Sequence, residues 1–240
     1  MAEYGLTIKN SSGYVQIDGE YSNLALVESL TLSATSRGGG PNGSVWYVTR
    51  SFPNYVSPVV AIYANNGVTV CYQAAQVNGV WQFTFWATTQ NAFQVYMFDQ
   101  AGRGTRFAIN YGLVVKNKTT NAVVFDSRMK YMRIVDYIAA NLGGNYFDNI
   151  SRDYTAYKKV AIVQGAFWAT SIQEVIPDDP TDPTAITLIE VSGMLNHSVN
   201  GISIQVMDTY SNSNRLSQNP LPNWYCNSYS YLVLDVSDFD

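Results

Sequence analysis

The sequence predicts an all-β protein, sandwich-like, made of two related halves packed together. Three observations predict it. Short alternating or β-branched runs recur along all 240 residues, broken by Gly, Asn, Pro and Asp every ten residues or so. Eighteen Tyr and five Trp favour pleated, half-buried surfaces. A strand–turn–strand unit near the start of the chain is also repeated in its middle.

The runs place strands at 5–9, 14–18, 24–34, 45–50, 58–64, 67–76, 80–88 and 93–99 in the first half. "NNG" at 65–67 and "VNG" at 77–79 carry hairpin chemistry, because Asn and Gly tolerate the positive φ of tight β-turns. "GVWQFTFWAT" alternates bulky side chains as a strand with one face in a core does. Further strands are expected at 107–116, 122–126, 131–138, 158–169, 184–194, 201–208 and 229–236. "VDYIAANLGG" (Val135 to Gly144) has the look of a helical turn or two ending at the Gly pair. The halves divide as 1–105 and 106–240, the second carrying long loops at 177–184 and 210–231, with a flexible glycine-rich connection at Ser36 to Ser44. A loop as long as 210–231 is expected to be functional or to form an interface.

The repeat sets "YGLTIKN" against "YGLVVKN". Tyr4, Gly5, Leu6, Lys9 and Asn10 fall on Tyr111, Gly112, Leu113, Lys116 and Asn117; after one inserted residue Asp18 falls on Asp126. The apolar alternation persists through both strands. The expected unit is a hairpin in which Leu6, Ile8, Val15 and Ile17 face one core, and in which Asp18 and Asp126 cap the next turn through an Asx-type bond. Its role is read as structural.

These residues resemble a family of small tailed-bacteriophage proteins with an N-terminal "YGL-x-(V/I)-x-N-x-x-G-x-(V/L)-x-x-D" hairpin. "YGLTIKNSSGYVQID" and "YGLVVKNKTTNAVVFDS" are both similar to it, as is the lead-in "FQVYMFD" (Phe93 to Asp99). The second copy departs by having Thr120 and Asn121 where the turn Gly is usual. The similarity spans about 50 residues and brings no catalytic residue with it. It implies a structural virion component of the tail tip or baseplate, made in the host bacterial cytoplasm. The implied partners are other tail proteins (a tail-tip hub, central fibre or baseplate subunits) and further copies of the chain, arranged in threes.

Composition agrees. Charged residues are 13% of the chain, about half the usual share, so the surface is largely Ser, Thr, Asn, Gln and Tyr. A net charge of −4 and no Lys/Arg-rich run argue against nucleic acid. "RMKYMR" and "YKKV" read as solvated strand edges. Neither a basic-apolar leader nor an apolar run of membrane-spanning length is present, so no export or membrane insertion is expected. Cys71 and Cys226 are too few for a disulfide framework or a zinc site.

Chemistry is sparse, and neither enzyme activity nor a cofactor is expected. His197, the single histidine, is placed in a polar turn with no nucleophile motif nearby. Glu174 and Glu190 flank the acidic loop and are the only candidates for paired carboxylates. Asp178, Asp179 and Asp182 cluster enough to raise calcium, although three prolines explain the loop as a stiff connection. The aromatics Trp224, Tyr225, Tyr229 and Tyr231 leave three readings open: sandwich packing, a protein interface, or sugar stacking. The last gives the rival class, a receptor- or glycan-binding module at the tail tip.

Overall fold

Alternating apolar residues with β-branched and aromatic side chains give strands throughout, and turns fall where Asn or Gly supplies a positive φ. The structure, a computed structural model, describes residues 7–9, 11, 15–17, 23–37, 46–64, 69–87, 89–141, 150–165, 169–174, 185–198, 201–207, 214–216, 224–226 and 228–239. The strands are β1 (Ile8–Lys9), β2 (Val15–Ile17), β3 (Leu24–Ser33), β4 (Ser36–Arg37), β5 (Trp46–Phe52), β6 (Val59–Tyr63) and β7 (Thr69–Val77). There follow β8 (Val80–Ala87), β9 (Ala92–Gln100), β10 (Val114–Lys116), β11 (Val123–Asp126), β12 (Ile134–Asn141), β13 (Ile150–Arg152) and β14 (Val160–Gln164). The last are β15 (Ala169–Glu174), β16 (Ala185–Ser198), β17 (Gly201–Met207), β18 (Asn214–Leu216), β19 (Trp224–Cys226) and β20 (Ser228–Asp235). A 3-10 turn, Ala101–Arg103, follows β9.

All-β, sandwich-like architecture is what results. One antiparallel sheet has six strands in the order β12-β20-β14-β6-β9-β3. The other has ten, running β13-β17-β16-β7-β8-β5-β4, with β15 and β18 also on β16 and β19 on β15. The sequence halves meet inside each sheet: Ile162 of β14 lies opposite Ile62 of β6, and Leu195 of β16 opposite Val70 of β7. The β7–β8 turn follows its sequence, with Asn78 at φ 51° and Gly79 at φ 79°.

Between the sheets lies one core. Val60, Ile62, Phe93, Val95 and Met97 of the first sheet pack with Phe52, Val70, Phe83 and Phe85 of the second. The six-stranded sheet is buried on its other face as well, where Ala61, Tyr96, Phe98, Ala161 and Leu234 gather under Val236 and Phe239. Burial on both faces explains why β9 is apolar almost without interruption.

Three expectations are corrected. Val135 to Gly144 does not begin as a helix: residues 134–141 are β12, drawn into the ladder of β20 with Ile138 opposite Tyr231. A whole strand-length of backbone pairing outweighs a weak helical pattern. Only Val114–Lys116 of the strand expected at 107–116 pairs as one. The preceding stretch has isolated bonds, such as Phe107 N–H to Arg128 O at 2.7 Å, and no continuous partner. The segment 210–231 is not one loop: it contains β18 on β16, β19 on β15, and the start of β20, which pairs with β12 and β14. The acidic loop 177–184 lies outside the described residues, as do "NNG" and 38–45 of the glycine-rich connection.

Candidate functional site

The repeated unit is the best-defined feature outside the two large sheets, and its two copies share their geometry. In the first, Ile8 pairs with Ile17 and Lys9 with Val15, with a bulge between Ile8 and Lys9. In the second, Val115 pairs with Phe125 and Lys116 with Val123, with the bulge between Val115 and Lys116. Each pair and each bulge superposes under the offsets of the sequence repeat. Tyr4, Gly5, Asn10 and Asp18 lie outside the described residues, so side-chain detail comes from the second copy.

There the repeated residues have separate jobs. Asn117 Oδ1 accepts the N–H groups of Thr119 and Thr120 at 3.0 and 2.9 Å, and Asn121 N–H donates to Asn117 O at 2.9 Å. Asn121 takes φ 57°, the left-handed conformation that the Gly of the first copy would adopt at no cost. Gly112 lies tight against the hairpin end: a Cβ there would stand 2.8 Å from Ser127 Oγ, which accepts Leu113 N–H at 2.9 Å.

Asp126 caps its turn as expected, accepting Arg128 N–H at 3.1 Å, and does more. Its carboxylate is fully buried and takes Arg128 Nε at 2.8 Å, Arg128 Nη2 at 2.6 Å and Arg106 Nε at 2.9 Å. The Arg128 side-chain hydrogen bonds hold its carboxyl well below the usual range, against the opposing effect of burial. Arg106 and Arg128 together anchor the hairpin to the chain on either side of it.

The orientation of the hairpin differs from expectation. Val124 and Asp126 are buried, and Val123 packs on Ala25, Ala101 and Met129. By contrast Leu113 is 47% exposed and Ile8 of the first copy 38% exposed, so these do not reach a core. The hairpins belong to neither large sheet, and the second copy is held to the body through β11. Its first strand and the segment leading into it expose an apolar strip of Phe107, Ile109, Tyr111, Leu113 and Val114, with Tyr111 81% exposed. No charge interrupts residues 107–115. This strip is the candidate interface. Its residue pattern predicts a strand with an inward face, because alternation looks the same whichever side finds a partner.

The aromatic candidates of the C-terminal region separate. Trp224 and Tyr225 sit on β19 opposite Ser171 and Thr170, and Tyr229 on β20 opposite Ala140. Tyr231 is buried on the second strand of the six-stranded sheet, between Ile138 and Gln164, and is closed to a ligand. His197 is on β16 opposite Ile202 and not in a turn. Glu174 of β15 and Glu190 of β16 are three rungs apart in their ladder, about 10 Å along the strands. Among the described residues no group of three or more His, Cys, Asp or Glu is placed to hold a metal ion, and no helix is long and apolar enough to cross a membrane. Comparison with protein-family models, with curated proteins and with solved structures finds no match.

Proposed function

We propose that the chain is a non-catalytic structural subunit of a bacteriophage tail tip or baseplate, located in the virion, joining neighbouring tail proteins and further copies of itself in a threefold arrangement. The resemblance of both "YGL" hairpins to tail-region proteins supports the phage reading. The observation that carries the structural role is the contrast between the two strands of the second hairpin. β11 is locked to the body through buried Asp126, while β10 and the segment before it offer an uncharged apolar strip from Phe107 to Val114. Contiguous exposed apolar surface of this kind favours a protein contact. Low charge suits broad neutral interfaces of that sort.

The test is a phage carrying a deletion of the gene, alongside one encoding Tyr111→Asp with Leu113→Asp. Incomplete tips by electron microscopy in both, with the variant chain folded but missing from purified particles, are expected. Complete, infectious particles from the deletion would sink the reading. A glycan-binding role would instead show as host-cell or glycan-array binding by the isolated chain that is lost in Trp224→Ala with Tyr229→Ala.

A further inference from the structure

Strand β3 ends the six-stranded sheet. Its inner side pairs with β9 from Leu24 to Ser33, with a bulge between Leu26 and Glu28. Among the described residues its outer side is covered only before that bulge. Met132 N–H donates to Leu24 O at 3.0 Å, Leu26 N–H to Lys130 O at 2.7 Å and Thr105 N–H to Leu26 O at 2.8 Å, and the Thr105 hydroxyl donates to Val27 O. From Glu28 to Ser33 no described group completes the outer ladder. Glu28, Ser29, Thr31 and Ser33 are exposed along it, while Leu30 and Leu32 are half-buried against the intersheet core.

At the bulge this open edge runs into a groove of about 230 Å³ between Val27–Ser29 and Thr105–Phe107, with Lys130 and Phe239 at its side. Phe107 is 48% exposed there. Lys130 Nζ lies 5.3 Å from the ring centroid of Phe107 and 5.9 Å from that of Phe239, and no carboxylate among the described residues forms an ion pair with it. Arg106 in the same groove is committed to Asp126, and the Glu28 carboxylate accepts the Tyr55 hydroxyl at 2.6 Å.

We propose that the outer edge of β3 and the groove at its bulge form a strand-addition site for an extended segment of a partner protein. It would seat an apolar side chain against Phe107 and a carboxylate at Lys130. The proposal deepens the assembly role and rests on it for the partner being a protein. The occupant follows from the chemistry of the edge. A row of unpaired backbone N–H and C=O groups is completed by another extended chain and not by a helix or a sugar. Leu30 and Leu32, left half-covered, match apolar residues at alternate positions of the incoming strand. Ser29, Thr31 and Ser33 match small polar ones between them. The ammonium stacked on two rings attracts an anion beside the anchor. That anion is either an Asp or Glu side chain or the C-terminal carboxylate of the segment.

The experiment uses the full-length chain and arrayed decapeptides of alternating apolar and polar residues. Each is made with an internal Asp, with a free C-terminal acid, or as a C-terminal amide lacking any carboxylate. Binding of carboxylate-bearing peptides is expected, with slowed amide hydrogen exchange confined to 28–33. Phe107→Ala and Lys130→Gln, both at half-exposed or exposed positions, should keep the melting temperature and weaken that binding at least tenfold. The internal-Asp and free-acid arms show which carboxylate is used. No binding to any peptide, protection elsewhere, or equal affinity in both variants would overturn the site. The outcomes separate from those of the deletion: peptide binding at β3 upholds the site even if particles lacking the chain have complete tips, and an array without binders removes the site even if tips are incomplete.

Discussion

Asp126 shows how much one repeated residue carries. A carboxylate with no exposed surface would be costly alone, yet two arginines and a backbone N–H supply it with partners. Its folded pKa lies below its unfolded value, so the stabilisation is fully present above about pH 4 and is lost as pH falls through that value toward the depressed one. Asp126→Asn is expected to cost on the order of 2 kcal/mol at neutral pH, since the arginines are partly solvated and recover some water contacts. Urea unfolding from pH 7 to pH 2.5 should show the gap between wild type and variant closing with acid. A constant gap would mean that the carboxylate's charge contributes nothing. Asp18 holds the equivalent sequence position.

At the scale of elements, the two hairpins differ in turn sequence, while the two described rungs of the first match those of the second. "NSSG" and "NKTTN" reach the same ladder because Asn121 accepts the left-handed conformation that glycine adopts freely. Replacing Lys118 to Asn121 with the Ser-Ser-Gly of the first copy is therefore expected to leave stability within about 0.5 kcal/mol, as surface changes without strain do. Chemical denaturation measures this, and a loss of 2 kcal/mol or more would show that the two turns are not interchangeable. The bulge preserved in both copies twists each hairpin away from a flat edge, a device that limits indiscriminate pairing. β3 has a bulge at its start, yet among the described residues its run beyond the bulge has no outer partner.

Across the whole molecule the intersheet core and the apolar strip are made of similar residues with opposite consequences. Phe85 has no exposed surface and meets Phe83, Phe93 and Tyr72 within 6.3 Å between ring centroids. Phe85→Ala should cost roughly 3–5 kcal/mol through lost burial and a cavity. Tyr111→Ser, at a position 81% exposed, should change stability by less than about 0.5 kcal/mol while reducing incorporation into particles. Thermal melts of the two variants beside an incorporation assay test both halves of that contrast. A large stability loss in Tyr111→Ser would place the residue in a core and remove the strip as an interface.

The strand-rich class, the β7–β8 hairpin through Asn78 and Gly79, and the duplicated unit with its turn-capping Asp126 are legible from the residues alone. These are local matters: side-chain alternation, positive φ and an Asx bond are settled within a few residues. Which strand joins which sheet, that 134–141 extends instead of coiling, that Tyr231 is core and that Phe107 to Val114 is surface emerge only in the folded chain. Those outcomes depend on partners far along the chain. Backbone pairing and burial are satisfied by whatever packs alongside, and an apolar alternation carries no mark of which side that neighbour will take.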